Sequence, residues 1–143
     1  MTIPFLRSWS ASGTDHFYTT NFGEWKNANS TLGYVGERTL GYIFVDQQPG
    51  TIPIYRLWSG GGTDHFYTTD AKEKDNAVAH LGYAYEGIPG YVYPDGTCGG
   101  LPLYRMFNSG ITDHFYTMST TERDTASQSG WKFESVACYI LPF

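Results

Sequence analysis

Apolar and polar positions follow one pattern along this chain, and the pattern recurs three times. A proline opens each unit and is followed by a short apolar run, an arginine, and an aromatic residue two positions later. A loop of small residues then leads into a second short apolar run. Two such runs separated by a glycine-containing loop of about 3–5 residues predict a β-hairpin. The opening prolines are Pro4, Pro53 and Pro102, and the arginines are Arg7, Arg56 and Arg105.

The second run of every hairpin lies in the same six-residue segment, Thr-Asp-His-Phe-Tyr-Thr. It occupies residues 14–19, 63–68 and 112–117, with a spacing of 49 residues both times. Internal periodicity of this size indicates one structural unit that is used repeatedly. We therefore divide the chain into three repeats of 42 to 49 residues, within a single domain that spans residues 1–143. The repeats are 4–52, 53–101 and 102–143.

Each repeat next carries the signals of a short helix and then of a third strand. A good N-cap residue is followed three positions later by a glutamate, the spacing of a capping box, and a glycine marks the helix end. The third strand carries a tyrosine, and the pattern does not decide whether a fourth strand follows. The cap and glutamate pairs are Asn21 and Glu24, Asp70 and Glu73, and Ser119 and Glu122. The glycines are Gly33, Gly82 and Gly130, and the strand tyrosines are Tyr42, Tyr91 and Tyr139.

These elements predict a mainly β fold with one short helix per repeat and pseudo-threefold symmetry. We expect a closed β assembly, with a β-trefoil or a three-bladed propeller as alternatives. The last residues, Leu141-Pro142-Phe143, resemble Ile3-Pro4-Phe5 at the start of the first repeat. This likeness suggests that the two ends meet and close a ring.

Composition narrows the class of protein. Aromatic residues make up 17% of the chain and there are 17 glycines, which suits a β-rich fold with tight turns. The net charge of −5 argues against a nucleic-acid partner, and no apolar run is long enough to span a bilayer. The chain shows no signal segment, so we expect a cytoplasmic or unconventionally secreted protein. The sequence does not indicate its oligomeric state.

The cysteines, Cys98 and Cys138, lie outside the repeated pattern, and their spacing leaves disulfide bonding open. Cys138 occupies the position that Gly41 and Gly90 hold in the other repeats. We therefore expect it to be a free, buried thiol.

Strand alternation places the aspartate and phenylalanine of the repeated segment on one face and the histidine and tyrosine on the other. We expect the phenylalanines to anchor the core. An aromatic residue before the loop and an Asp-His pair after it supply the ring face and polar groups that a sugar needs. The candidate carbohydrate-binding residues are Trp9, Asp15, His16, Tyr18, Trp58, Asp64, His65, Tyr67, Phe107, Asp113, His114 and Tyr116.

The favoured hypothesis is therefore a non-enzymatic lectin that binds glycans or glycoconjugates at up to three related sites at the hairpin loops, since multivalency raises affinity. No serine or cysteine lies in a nucleophile context, so we expect no enzymatic activity. The second repeat, with Gly60 to Gly62 in its loop, is expected to be the most open site. The third, with Phe107 and Ile111, is expected to be altered.

Other interpretations of the same residues remain open. The aspartates could pair with the arginines, and each arginine could pair with the glutamate that follows the helix, so that the whole set is structural. Those glutamates are Glu37, Glu86 and Glu134. A second function is a protein-interaction or hydrolase-inhibitor module. A third is a metal site formed by His16, His65 and His114 on the pseudo-threefold axis. No cofactor is expected.

The string Tyr55-Arg56-Leu57, Asp64-His65-Phe66-Tyr67-Thr68, Glu73, Gly82-Tyr83 and Glu86-Gly87 resembles a family of uncharacterised repeats of fungi and bacteria. The resemblance covers essentially the whole chain. Members occur alone in fungi or attached to secreted hydrolases, so the resemblance implies attachment to glycans or cell walls and supplies no functional residues. By size, repeat number and localisation the chain also looks like mushroom fruiting-body lectins, and defence is the role which that implies.

Overall fold

The computed structural model describes residues 1–142 and is mainly β, with 49% strand and 22% helix. The predicted order of strand, strand, short helix and strand is confirmed in every repeat, and no repeat has a fourth named strand within residues 1–142. The first repeat contains β1 (Thr2–Ser10), β2 (Asp15–Thr19), α1 (Phe22–Thr31) and β3 (Val35–Phe44). The second contains β4 (Ile52–Ser59), β5 (Asp64–Thr68), α2 (Ala71–His80) and β6 (Ala84–Val92). The third contains β7 (Leu101–Asn108), β8 (Asp113–Thr117), α3 (Thr120–Ser127) and β9 (Lys132–Ile140).

The first strand of each repeat lies in the middle of a three-stranded antiparallel sheet. The short hairpin strand pairs with one edge of it and the strand after the helix pairs with the other. The first two sheets join through the pair Phe44 and Tyr91, which gives a six-stranded sheet in the order β2-β1-β3-β6-β4-β5. The third sheet has the order β8-β7-β9. Isolated bridges link Tyr93 to Tyr139 and Tyr42 to Leu141. Phe143 lies outside the described residues.

The hairpin loops contain one feature that the sequence did not signal. The last loop residue is a threonine with φ of 50° to 52° in all three repeats. A β-branched residue in this left-handed region is unusual and costs free energy that the surrounding structure must offset. The residues concerned are Thr14, Thr63 and Thr112.

The helix caps are confirmed, but the capping boxes are not. The side chain of each predicted cap residue accepts a hydrogen bond from the backbone N–H of the glutamate three positions on. In the first repeat, however, the Glu24 carboxylate does not reach back to the Asn21 N–H. That N–H donates instead to the Thr19 hydroxyl, and the hydroxyl donates to Glu24 at 2.6 Å. The glutamate is therefore oriented by a threonine and points away from its own helix start.

Three tyrosines of the repeated segment form the centre of the molecule. The tyrosines are Tyr18, Tyr67 and Tyr116. Their rings meet edge to face at centroid distances of 5.3 to 5.5 Å, and they are at most 1% exposed. The sequence had placed these tyrosines beside the histidines as candidate carbohydrate-binding residues, but they form the core instead. Alternation separates two faces of a strand, but both faces of these strands are buried.

The glycines that align with Cys138 lie where a neighbouring strand approaches closely. A Cβ atom at Gly90 would lie 2.7 Å from the carbonyl oxygen of Phe44, and one at Gly41 would lie 2.8 Å from that of Leu141. Cys138 is buried and free, as expected, and burial raises the pKa of its thiol to about 12. Cys98 is free and exposed. None of the helices within residues 1–142 is long and apolar enough to cross a membrane.

Candidate functional site

Each aspartate of the repeated segment holds the histidine of the next repeat, not its own. Asp15 accepts hydrogen bonds from the backbone N–H of His65 at 2.8 Å and from its ring Nδ1–H at 2.5 Å. Asp64 receives the same pair from His114, and Asp113 receives it from His16. The aspartates are completely buried, so these bonds replace the water that the carboxylates have lost.

The tyrosines complete the same edge of each hairpin strand. The Tyr67 hydroxyl accepts from the Tyr18 N–H at 2.8 Å and donates to the Tyr18 carbonyl at 2.6 Å. Tyr116 does the same to Tyr67, and Tyr18 to Tyr116. An edge strand normally leaves such groups unpaired. Here side chains of the neighbouring repeats satisfy them.

Arginine and glutamate side chains form a further set of contacts between repeats, beside the Asp–His and tyrosine contacts. Arg56 donates through both terminal nitrogens to Glu24 of the preceding repeat, at 2.9 and 3.0 Å, and through Nε to Glu86 of its own repeat at 3.0 Å. Arg105 binds Glu73 and Glu134 in the same way. The predicted pairs of arginine with the glutamate after the helix are thus present, and each arginine has a second glutamate that the sequence had assigned to capping.

Arg7 makes the equivalent contacts with different geometry. It binds Glu122 at 3.0 and 3.1 Å, but its Nε lies 3.0 Å from Glu37 at an angle that makes no hydrogen bond, so Nη2 donates to Glu37 at 3.3 Å instead. His16 also lies farther from Glu37, at 3.9 Å, than His65 lies from Glu86, at 3.5 Å. Glu37 is therefore oriented differently towards Arg7 and His16 than Glu86 is towards Arg56 and His65.

These contacts shift the protonation of the histidines and glutamates. Burial alone would lower the pKa of His65, but its interactions with Asp15 and Glu86 raise it above the ordinary value. The pKa of His114 rises for the same reasons beside Asp64 and Glu134. The interaction with His65 is the main cause that lowers the pKa of Glu86. Glu86 and Glu134 thus stay ionised next to histidines that hold a proton more strongly than usual.

A substitution in the third repeat changes this pattern at Asp113. In the other repeats a tyrosine after the helix donates its hydroxyl to the aspartate, from Tyr34 to Asp15 and from Tyr83 to Asp64. Trp131 occupies this position in the third repeat and has no hydroxyl to offer. Burial raises the pKa of Asp113, and its bonds with His16 only partly oppose that effect.

Two clefts lie between neighbouring repeats, beside these contacts. The first, of about 420 Å³, lies between the first and second repeats and is called the Trp58 cleft. It is lined by Phe17, Glu24, Asn27, Ala28, Leu32, Tyr34, Arg56, Trp58, His65 and Glu86. The second, of about 470 Å³, lies between the third and first repeats and is called the Trp131 cleft. It is lined by Arg7, His16, Glu37, Phe115, Ser119, Thr121, Glu122, Thr125, Ala126, Ser129 and Trp131.

The structure brings together only some of the predicted carbohydrate-binding residues. The aromatic residue before each loop contacts the histidine after it, at ring distances of 4.4 to 4.6 Å. Trp58 and His65 line the Trp58 cleft and His16 lines the Trp131 cleft, whereas Trp9 lines neither. Phe107 lines a separate hollow within the third repeat, and His114 is buried.

Six of the twelve predicted residues have no surface to offer a ligand. They are Asp15, Asp64, Asp113, Tyr18, Tyr67 and Tyr116. Each is at most 1% exposed and is hydrogen-bonded to a neighbouring repeat, so the candidate site is redrawn without them. The histidines are 9% exposed with both ring nitrogens directed at carboxylates, so they contribute only an edge to a cleft.

The structure also identifies where acidic ligand atoms for a metal ion come closest. One carboxylate oxygen from each of Asp15, Asp64 and Asp113 lies within 4.8 Å of the others. These carboxylates already accept hydrogen bonds from histidines, so a cation would compete with those bonds for the same oxygens. The imidazoles that the sequence had suggested as ligands are each directed at an aspartate.

Several cleft residues escaped sequence reasoning. Tyr34, Leu32 and Trp131 follow or end the helix and face the histidine of the next repeat, far away in sequence. The aromatic–Glu pattern after each helix marked Tyr34 and Trp131 as repeated features. It did not show that they belong to a site, because the other half of the site comes from another repeat.

Comparison with protein families matches residues 4–141 to a family described as "Domain of unknown function (DUF5648)". Comparison with curated proteins and with solved structures gave no match. The family's own description assigns no activity, so function has to be argued from the clefts and their chemistry. Because the match extends over nearly all of the chain, this protein belongs to the DUF5648 family.

Proposed function

We propose that this protein is a non-enzymatic carbohydrate-binding protein whose sites are the clefts between repeats, not the hairpin mouths. The observation that carries the proposal is the Trp58 cleft. It combines half-buried aromatic rings with partly exposed carboxylates in a hollow of about 420 Å³. Ligand sites are commonly hollows of about 300–1,000 Å³ with apolar walls and a few placed polar groups.

The walls of the Trp58 cleft suit the apolar face of a sugar ring. Trp58 and Tyr34 are half-buried, so part of each ring stays accessible. Tyr34 packs on Phe17 at 5.8 Å, and Trp58 packs on His65 at 4.4 Å. Side chains that are fixed in this way lose little conformational freedom when a ligand binds.

The polar groups of the cleft suit sugar hydroxyls. Glu24 and Glu86 keep 39% and 30% of their side chains exposed while Arg56 fixes their positions. Ionised carboxylates accept hydrogen bonds from several hydroxyl groups at once, and such charge-assisted bonds are the stronger kind. The Trp131 cleft offers a related set, with Glu37, Glu122 and the hydroxyls of Thr125 and Ser129.

The proposal includes a closed, pseudo-threefold arrangement of the repeats. Three sets of contacts support it, because each runs from the first repeat to the second, to the third and back to the first. They are the Asp–His bonds, the tyrosine bonds and the strand bridges that end with Leu141 paired to Tyr42. A closed arrangement would place related clefts on one molecule and allow multivalent attachment to a glycan surface.

Glycan-array binding together with haemagglutination tests this function. We expect the protein to bind at least one glycan class, and Trp58→Ala and Trp131→Ala each to weaken binding about tenfold, since aromatic contacts are worth about 1 kcal/mol or more. Phe22→Ala is the control, because Phe22 is an exposed aromatic residue that lines neither cleft. No binding on the array and no agglutination at high protein concentration would overturn the proposal.

A further inference from the structure

We infer that the Trp58 cleft selects saccharides that carry a primary ammonium group over their neutral and N-acetylated counterparts. This inference rests on the proposed carbohydrate function and names its substrate class. It follows from the charges in the cleft and from where they lie relative to the aromatic rings.

The charged side chains that line the cleft do not balance. Glu24 and Glu86 carry two negative charges and Arg56 carries one positive charge, which leaves one negative charge over. His65 and the Asp15 beneath it offset each other when the histidine is protonated, and add a further negative charge when it is not. The cleft is therefore negative in either protonation state.

Of the two glutamates, Glu86 is the one with an oxygen left without a hydrogen bond. Arg56 uses both terminal nitrogens on Glu24 and only Nε on Glu86. His65 approaches the same Glu86 oxygen, Oε1, at 3.5 Å. No side chain or backbone group within residues 1–142 hydrogen-bonds to Glu86 Oε2. This oxygen is free to accept a hydrogen bond from a ligand.

Aromatic rings complete the recognition of a cation. Tyr34 and Trp58, which are half-buried, line the same hollow as Glu86. A ring face attracts a cation within about 6 Å of its centre, and the attraction grows when water is excluded. An ammonium group on a sugar ring would thus meet a carboxylate and a π face together, whereas an N-acetyl group brings neither a charge nor three donors.

The test compares three oligosaccharides that differ at one position of the sugar. The probes are the β-1,4-linked tetramers of glucose, glucosamine and N-acetylglucosamine, titrated calorimetrically at pH 6.5 and about 150 mM salt, where long-range attraction is screened. We expect the glucosamine tetramer to bind at least tenfold more tightly than the other two. Glu86→Gln should reduce that preference to threefold or less, because it removes the charge and keeps an oxygen for Arg56.

Glu134→Gln is the matched control. Glu134 holds the same position in the third repeat, contacts Arg105 at 3.1 Å, and lies outside the Trp58 cleft. It should leave the preference unchanged, and urea unfolding should show that both variants are folded. Equal affinity for the three tetramers, or a preference that survives in Glu86→Gln, overturns the ammonium selectivity and leaves glycan binding intact. No binding by any tetramer, with binding to an array glycan, overturns the ammonium selectivity alone. No binding by any tetramer or array glycan overturns both proposals.

Discussion

The repeats use the same side chains at the outer edges of their hairpin strands, β2, β5 and β8, which we call the hairpin edges. They use different side chains where each helix packs on its own sheet. At these edges the Tyr67 hydroxyl hydrogen-bonds to the backbone of Tyr18, and the Tyr116 hydroxyl hydrogen-bonds to the backbone of Tyr67. Each of the three tyrosines therefore contacts the tyrosines of both other repeats. Under the helices, each repeat uses its own set of side chains. A residue that contacts copies of itself cannot change alone, whereas a residue that contacts only its own repeat can change together with its partners.

The helix interface shows three solutions to the same packing problem. In the second repeat the Lys74 ammonium lies 4.7 Å above the Tyr55 ring and 5.0 Å above the Tyr85 ring. In the third repeat Arg123 covers Tyr104 and Phe133 at 4.5 and 5.9 Å.

The first repeat solves the problem with a tryptophan. The Trp25 indole occupies the space above Gly36, where a Cβ atom would lie 2.4 Å from the ring, and its Nε1 donates to the Arg7 carbonyl at 3.2 Å. Leu6 and Gly36 stand where the other repeats have aromatic residues.

The largest effect is expected from removing one hydroxyl at the centre. Tyr67→Phe leaves the buried N–H and C=O of Tyr18 without partners, and each unsatisfied group costs about 1–3 kcal/mol. We therefore expect urea unfolding to show a loss of about 2–5 kcal/mol. Tyr85→Phe is the control, since Tyr85 is exposed and its ring packs under Lys74 without using its hydroxyl. A loss below about 0.5 kcal/mol in Tyr67→Phe would show that the hydroxyl bonds of the three tyrosines do not hold the hairpin strands together.

The sequence predicted what is local and missed what crosses between repeats. Asn21 and Gly33 mark the ends of a helix through signals within a dozen residues. The predicted hairpin is present, and its strands pair Trp9 with His16. Asp15 and His65 are 50 residues apart, and no pattern in the sequence indicates that they contact each other. The lining of the clefts was missed for the same reason, since half of each belongs to another repeat.

The second prediction exchanges one helix interface for another. Gly36→Tyr alone overlaps the Trp25 indole and should cost about 1–3 kcal/mol, as overpacking does. Adding Trp25→Lys and Leu6→Tyr installs the cation and the two aromatic rings of the second repeat. The Asn29 amide, 2.8 Å from the new Cβ, must still shift, so we expect part of the lost stability to return. The measurement is the free energy of unfolding of the single, double and triple variants. Losses that simply add up would mean that the three positions are not one packing unit.

The third prediction compares an arginine between repeats with one inside a repeat. Arg56→Gln leaves Glu24 and Glu86 without their shared cation. A fully buried pair broken in this way costs about 3–5 kcal/mol, but the glutamates are about one-third exposed, so we expect about 1–3 kcal/mol. Arg123→Gln removes the pair with Asp124 and the contacts with Tyr104 and Phe133, all inside one repeat, and should cost less than Arg56→Gln. Equal losses in the two variants would contradict the distinction between the regions.

The smallest effect concerns pH. Because the folded-state pKa of His65 and His114 is raised, the folded protein holds protons that the unfolded chain releases first. Their contribution to stability is complete below the unfolded pKa of about 6.5 and is lost as pH rises through the folded value. The raised pKa of Asp113 acts in the same direction at lower pH, since its folded state also favours the proton. The lowered pKa values of Glu24 and Glu86 act oppositely and remove stability as pH falls toward the acid range.

We therefore expect the free energy of unfolding to decrease as pH rises above about 6.5, with a slope of at most about 1.4 kcal/mol per pH unit for each histidine. His65→Gln should make that slope shallower, although it also lowers stability because it removes the imidazole that donates a hydrogen bond to Asp15. A slope that His65→Gln leaves unchanged would place the pH response outside the Asp–His contacts, and the hairpin strands of neighbouring repeats would then be joined by hydrogen bonds alone.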